Sequence, residues 1–479
     1  SRIRTSNRML RKSRPEHYSA DLTSTPTLVA KIEIPIDVFR NDETPSQRIN
    51  MGREVSTVPK VQNMSLTRTR KTLLHEVESR SSEITELASD LIKIPSENPP
   101  GNVDKITEFL VKYLRDTGVD VSVVEGFKGK PSLVCQTGSE QDSRILLLNG
   151  HTDVVPVGSR ERWKFDPFGG EIKDGYIHGR GASDMKAGLA GIVFAFTLLH
   201  RERRELKGLL KLQLVPDEET GGLHGTKWLM NGGYADSTAA IIAEPTGLEA
   251  IDIGQKGILW LKIETKGTLA HGSLAPYVGD NAILKAASLT KELQSITRIR
   301  ARPPKEIRQV ISSSISIAEQ LIGKKGIGRI LRTPTVNVGL ISGGTKVNMV
   351  PDMCSTDVDI RLPIGVKAQE VLRKVRTIAT KHDASVVVIS ESPPNYTSPT
   401  EEIVKILERN VQEVTERKPR VFVQWATSDA RFLRAKGIAT AQYGPAHLEG
   451  IHGFNEKVRA DDVVAATKVY VALALDYLS

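Results

Sequence analysis

Residues able to hold a metal ion and move a proton recur at five places along this chain. His151 closes the apolar run Leu148-Asn149-Gly150-His151, and Asp153 follows two residues later, close enough to hold the second imidazole nitrogen. Asp184 follows the glycine-rich run His178-Gly179-Arg180-Gly181-Ala182-Ser183, and three consecutive acids, Asp217-Glu218-Glu219, follow Val215-Pro216. Glu244 lies between Ala243 and Pro245, and His452 opens His452-Gly453-Phe454-Asn455-Glu456. Imidazole and carboxylate groups are the usual ligands of a hydrolytic metal ion, and adjacent glutamates suit a division of labour between ligand and proton shuttle. Each place has a plainer alternative: a loop histidine at 151 or 452, a helix cap at Asp184, a solvated acidic turn at 217–219, an acidic turn before proline at Glu244. Consecutive acids repel one another unless a cation neutralises them. Five sites of the right types, most of them just after apolar runs, point to metal-assisted hydrolysis.

Positioning such residues requires elements that end where they stand. Segments 121–124, 132–136, 145–149, 209–215 and 239–243 read as strands, and 65–94, 103–117, 184–201 and 225–230 as helices, with 94–101 stopping the first helix through its prolines. Strands alternating with helices imply a parallel or mixed sheet covered on both faces, with ligands outside the carboxyl ends of the strands. The pattern changes near residue 252. Strands at 258–265, 335–340, 354–361 and 385–390, with helices at 281–293 and 367–381, suggest a small α+β unit of ferredoxin-like type. Residues 297–334, basic and glycine-containing, read as an insertion or long loop. From about 396 the α/β character resumes, with helices at 400–415, 428–435 and 459–478 and strands at 422–423 and 439–442. The expected division is a basic tail (1–63), a catalytic part (64–251), an inserted lid and dimerisation part (252–392) and a second catalytic part (393–479). A short strand is expected at 32–39.

Composition narrows the classes further. A chain of 479 residues with 39% hydrophobic and 26% charged residues has a globular composition and is long enough for more than one core. No apolar run reaches the roughly 18 residues that a membrane helix needs. Two cysteines, Cys135 and Cys354, allow at most one disulfide, which favours a reducing, cytoplasmic setting. Residues 1–70 hold 13 Lys and Arg against 7 Asp and Glu, so most of the net charge of +9 lies there. That excess reads as a solvated tail rather than a nucleic-acid surface on the catalytic body. The first twenty residues, rich in Arg and Ser, fit either an organelle transit peptide or an upstream extension, with Met64 as an alternative start.

Taken in order, His-Thr-Asp-Val-Val-Pro at 151–156, Arg-Gly-x-x-Asp-Met-Lys at 180–186, Asp-Glu-Glu at 217–219, Glu-Pro-Thr at 244–246, Ala-His-Gly-Ser at 270–273 and His-Gly-Phe-Asn-Glu at 452–456 resemble one family. It is the dinuclear zinc deacylases and exopeptidases, metallopeptidase family twenty, which includes acetylornithine deacetylase, succinyl-diaminopimelate desuccinylase, carboxypeptidase G and aminoacylase. The resemblance runs from about residue 78 to 479. It implies a zinc-peptidase-like α/β catalytic domain with a mixed central sheet flanked by helices, plus an inserted ferredoxin-like domain. It further implies two divalent metal ions, zinc or cobalt. Asp184 bridges them, His151 and Glu244 hold one, and Glu219 and His452 hold the other. By the same resemblance Asp153 orients His151, Glu218 is the general base, and the peptide after Asp184 is cis. His271 stabilises the oxyanion, often from the partner subunit of a homodimer, and Asn348 and Arg361 bind a substrate carboxylate. Read from sequence alone, His271 is equally a strand-end histidine and Arg361 a surface ion pair.

The implied activity is hydrolysis of an N-acyl amino acid, with a dipeptidase or glutamate-type carboxypeptidase as the alternative within the family. An inactive binding protein with a tail that contacts nucleic acid is the alternative outside it. The segment Trp425-Ala426-Thr427-Ser428-Asp429 departs from the Gly-Thr-Ser-Asp loop of the desuccinylases at Ala426, which leaves the acyl group and the amino acid open.

Overall fold

In the computed structural model, residues 59–139 and 141–479 are described, and the strand expected at 32–39 lies outside them. Long apolar runs dictate the centre of the molecule. Leu209–Val215, Ile145–His151, Ala239–Ile242 and Ala439–Gln442 lie side by side in that order as parallel strands. Strands this apolar are stable when both faces are covered, and all four are almost wholly buried. Antiparallel neighbours extend the sheet to nine strands: Pro131–Gly138 and Ser122–Glu125 on one side, Ala250–Gln255 and Asn395–Tyr396 on the other, with Arg420–Gln424 pairing parallel to Ala250–Gln255. The result is a mixed sheet.

Apart from Lys186 and Thr197, the helix Lys186–Arg201 is apolar on every side as far as Leu199 and is correspondingly buried. It packs against Ala460–Leu478, Ser81–Lys93 and the sheet. A Cβ on Gly188 would lie 2.2 Å from the carbonyl oxygen of Ala243, so glycine here lets the helix approach the strand end that carries Glu244. The single helix expected at 65–94 is two, Pro59–Ser79 and Ser81–Lys93, broken at Arg80. The Arg80 guanidinium bonds Glu76 and Glu83 and covers the Phe194 ring.

A second sheet is built from the segment between Gln255 and Asn395. Its antiparallel strands run in the order Thr335–Gly343, Met353–Leu362, Gly257–Lys266, Ala384–Ser392. Strict alternation on Gly257–Lys266 turns Leu259, Leu261 and Ile263 into a separate core beneath the helices Ala282–Leu293 and Ala368–Lys381. The chain order is βαββαβ, and the opposite face leaves Trp260, Leu340, Val387 and Ile389 exposed.

The segment 297–334 is not a loop. It forms the helix Arg308–Ile322 between two short turns. Ile317 packs with Ala250 and Phe422, while Ile307, Ile311 and Leu331 join the main core. The Val423 amide donates to Ser314 Oγ at 2.9 Å, which ties the helix to an edge of the central sheet. Serines at 312, 313, 314 and 316 obscure the helical spacing of Ile307, Ile311 and Ala318, because serine is a weak helix former outside a packed context.

Candidate metal centre and active site

Three neighbouring parallel strands deliver their carboxyl ends to one place. Ile145–His151 ends on His151, Leu209–Val215 leads into Asp217-Glu218-Glu219, and Ala239–Ile242 leads into Glu244. The 217–219 turn is held from both sides. Asp217 accepts the amides of His224 and Gly225, each at 2.8 Å, and so is structural. Asp153 accepts the amides of Glu218 and Glu219, each at 3.2 Å, and the Asn98 side-chain amide at 2.8 Å. Its backbone carbonyl receives His151 Nδ1–H at 2.9 Å, with its carboxylate 3.5 Å from the same nitrogen. This arrangement leaves His151 Nε2 directed at Asp184, 3.2 Å away.

Asp184 does not cap a helix. The helix begins at Lys186, and the Asp184–Met185 peptide is cis. The other carboxylate oxygen of Asp184 faces His452 Nε2 at 3.2 Å, and Glu219 Oε2 lies 3.3 Å from the same nitrogen. His452 has a φ of 58°, a left-handed conformation uncommon for histidine and typical of functional sites. His151, Asp184 and Glu219 each offer a ligand atom within a 4.8 Å span, as do His151, Glu218 and Glu244.

Burial pushes the Glu244 carboxyl up to about 8, and the neighbouring Asp184 charge adds to this. Glu218 is raised well above the carboxylate range by burial and then by Glu244, and Glu219 is raised by burial and Asp184. Hydrogen bonds that it donates to Asp184 and Glu219 hold the His452 imidazole up at about 11. So many carboxylates cannot all be ionised at one buried place without a cation. The Glu219 and Glu244 Oε1 atoms are buried with no hydrogen-bond partner, while both histidine Nε2 atoms face carboxylates. Oxygen and imidazole donors aimed at one another are what a pair of divalent cations fits.

Sequence reasoning assigned no role to Glu456 or Arg180. Buried Glu456 accepts Arg180 Nη1 at 2.6 Å and the amides of Gly181, Ser183 and Asp184 at 3.2, 2.9 and 3.0 Å. Arg180 also donates to the Gly453 carbonyl at 2.8 Å, tying the Asp184 loop to the His452 loop. Both residues stood inside quoted motifs. The available signal was a glycine-rich loop whose amides needed an acceptor.

Above the cluster the cavity has two arms that meet at Glu218, Glu219 and His452. Arg361 lines the second arm, its Nε donating to Asp359 at 2.9 Å and Nη1 to Thr427 Oγ1 at 3.1 Å. Lys256, also missed from sequence, lines the same arm. His271 and Asn348 line neither arm. They lie beside one another where Ala270–His271 pairs with Met349–Val350, with the Gly272 amide donating to the Asn348 carbonyl at 2.8 Å. His271 is exposed, its Nδ1 2.7 Å from Ser273 Oγ.

Residues 147–476 match the sequence model of Peptidase family M20/M25/M40. The chain is 27% identical over 438 residues to the N-formyl-4-amino-5-aminomethyl-2-methylpyrimidine deformylase of Bacillus subtilis, covering 85% of this chain and 97% of that protein. It is 28% identical over 408 residues to the succinyl-diaminopimelate desuccinylase of Cereibacter sphaeroides, covering 82% and 98%. Its fold is similar to that of an M20 family metallo-carboxypeptidase from Sulfolobus solfataricus, with a TM-score of 0.71 at 23% identity over 82% of this chain and 99% of that one.

Proposed function

This chain belongs to peptidase family M20/M25/M40, and on that premise we propose that it removes an acyl group from the nitrogen of an amino acid. Relatives named as a deformylase and a desuccinylase support a metal-dependent hydrolase of C–N bonds. The observation that carries the finer reading is the convergence of two histidines and four carboxylates at the junction of the cavity arms.

In this reading His151 and Glu244 would hold one zinc or cobalt ion, Glu219 and His452 the other, and Asp184 would be the ligand shared between them. Divalent cations held there would supply an acidified water and neutralise charge on the amide oxygen. Glu218 is outside both ligand sets yet within 4.8 Å of His151 and Glu244 ligand atoms. It accepts the proton of the attacking water and returns it to the amine nitrogen as the C–N bond breaks. Asp153 holds the His151 tautomer and, through two amide bonds, the backbone of Glu218 and Glu219. Arg361, in the second arm beside Lys256, binds the substrate carboxylate, and Asn348, which lies with His271 outside both arms of its own chain, joins it from the partner subunit.

Residues 252–392 act as a lid and dimerisation unit. His271 reaches the amide oxygen from the partner subunit of a homodimer, a reading supported by its exposure outside the cavity of its own chain and by the apolar side chains Leu340, Val387 and Ile389 left exposed on the second sheet. The small-molecule amide is the partner of this site. A cytoplasmic location accords with two free, buried cysteines.

The test is free-amine release from acetylated, formylated and succinylated amino acids and from dipeptides, with added zinc or cobalt. Metal-dependent release from an acylated amino acid supports the reading, and release from dipeptides alone moves the chain to the peptidases.

A further inference from the structure

The two arms of the cavity differ in charge, and the difference bears on which acyl group is accepted. The second arm, about 550 Å3, is lined by two guanidinium groups, Arg361 and Arg431, with the buried Lys256 amine beside them. The first arm, about 370 Å3, has an apolar wall made by Ile322, Phe422, Leu448 and Ile451, with Trp425 shared between the two arms. Apart from the cluster residues at its floor, no charged side chain lines that arm.

Resting on the deacylase reading, we infer that the first arm receives an apolar, uncharged acyl substituent, and that Ile322 is a specificity-determining residue that limits its polarity. The helix ending at Ile322 is a fixed wall. Val423 donates to Ser314 Oγ, Arg420 Nη1 donates to Gln320 Oε1 at 3.0 Å, and Ile317 packs on Phe422. It stops at Gly323, whose φ of 68° ends the helix in the left-handed conformation. Ile322 is thereby left 42% exposed against the cavity. Covering such a side chain with apolar ligand is favourable, and a pocket of this kind sorts ligands by the few polar groups it offers. A carboxylate in this arm loses hydration without gaining a Lys or Arg partner. The amino-acid carboxylate goes to the cationic arm, which places the scissile amide at the junction beside Glu218.

Three hydroxamates with one metal-binding head and different tails separate the possibilities: acetohydroxamate, hexanohydroxamate and succinic monohydroxamate, titrated calorimetrically into the zinc-loaded full chain. Hexanohydroxamate is expected to bind about tenfold or more tighter than succinic monohydroxamate. Ile322→Asp should reduce the advantage of the hexanoyl over the acetyl tail about tenfold, and Ile322→Leu should retain it. An equal or tighter succinic compound, or an unchanged tail preference in a folded Ile322→Asp chain, overturns the inference while acetohydroxamate binding leaves the deacylase reading standing. Failure of all three to bind overturns both.

Discussion

Replacing Lys256 with methionine separates the cost of burying a cation from its use. The side chain is 2% exposed and donates to Thr335 Oγ1 at 3.1 Å, while the nearby Asp359 carboxylate is already engaged by Arg361. Burial, and then the Arg361 charge, hold the Lys256 ammonium down from 10.5 to about 7. At about 1.4 kcal/mol per pH unit this corresponds to about 5 kcal/mol of cost for the charged form. Between about pH 7 and 10.5 the unfolded chain keeps a proton that the folded chain has released, so stability rises with pH across that window. The cost is fully present below pH 7. Methionine removes it and forfeits one hydrogen bond worth about 1 kcal/mol. The net gain is therefore about 4 kcal/mol at pH 6 and falls to about 1 kcal/mol at pH 9. Guanidinium unfolding of parent and Lys256→Met chains, both metal-loaded, at pH 6, 7.5 and 9 reads the difference. A variant less stable than the parent at pH 6, or a difference that does not narrow toward pH 9, refutes the reasoning.

Glu218→Ala should lower amine release by at least about a hundredfold with both metals retained, judged by turnover and metal analysis, because it removes proton transfer and no ligand. Normal turnover removes Glu218 from the mechanism. His271→Ala should cost about a hundredfold or more in kcat with an unchanged melting midpoint. Mixing that chain with Glu218→Ala chains should restore part of the activity, since a mixed dimer then contains one complete site. No recovery counts against the partner subunit's contribution. Glu456→Gln leaves Arg180 buried without its counter-charge and should destabilise the chain by about 3 kcal/mol and lower metal occupancy. Unchanged melting and metal content argue against Glu456 as the brace of the Asp184 loop.

How far the sequence could be read depended on where each signal lay. Ile145–His151 and Leu209–Val215 were legible because continuous burial demands continuous apolarity, and the ligating side chains stood just beyond them. The family order of His151, Asp184, Glu219, Glu244 and His452 covered the rest of the cluster. The helix Arg308–Ile322 was hidden because its apolar positions alternate with serines, and tertiary packing against Arg420–Gln424 and the main core stabilises it. Two-residue pairings such as Ala270–His271 with Met349–Val350 carry no periodicity to detect. The role of Glu456 depends on three backbone amides converging, and amide direction is invisible in residue types. Lys256 and Ile322 became informative only once the fold set them in different arms of one cavity.

The most direct measurement is a zinc titration of the chelated chain, following bound metal and amine release from an acylated amino acid together. Binding of two equivalents per chain, with full activity reached only as the second site fills, is the result expected of a centre bridged by Asp184. Amine release that survives chelation, or a chain that binds no metal, contradicts it.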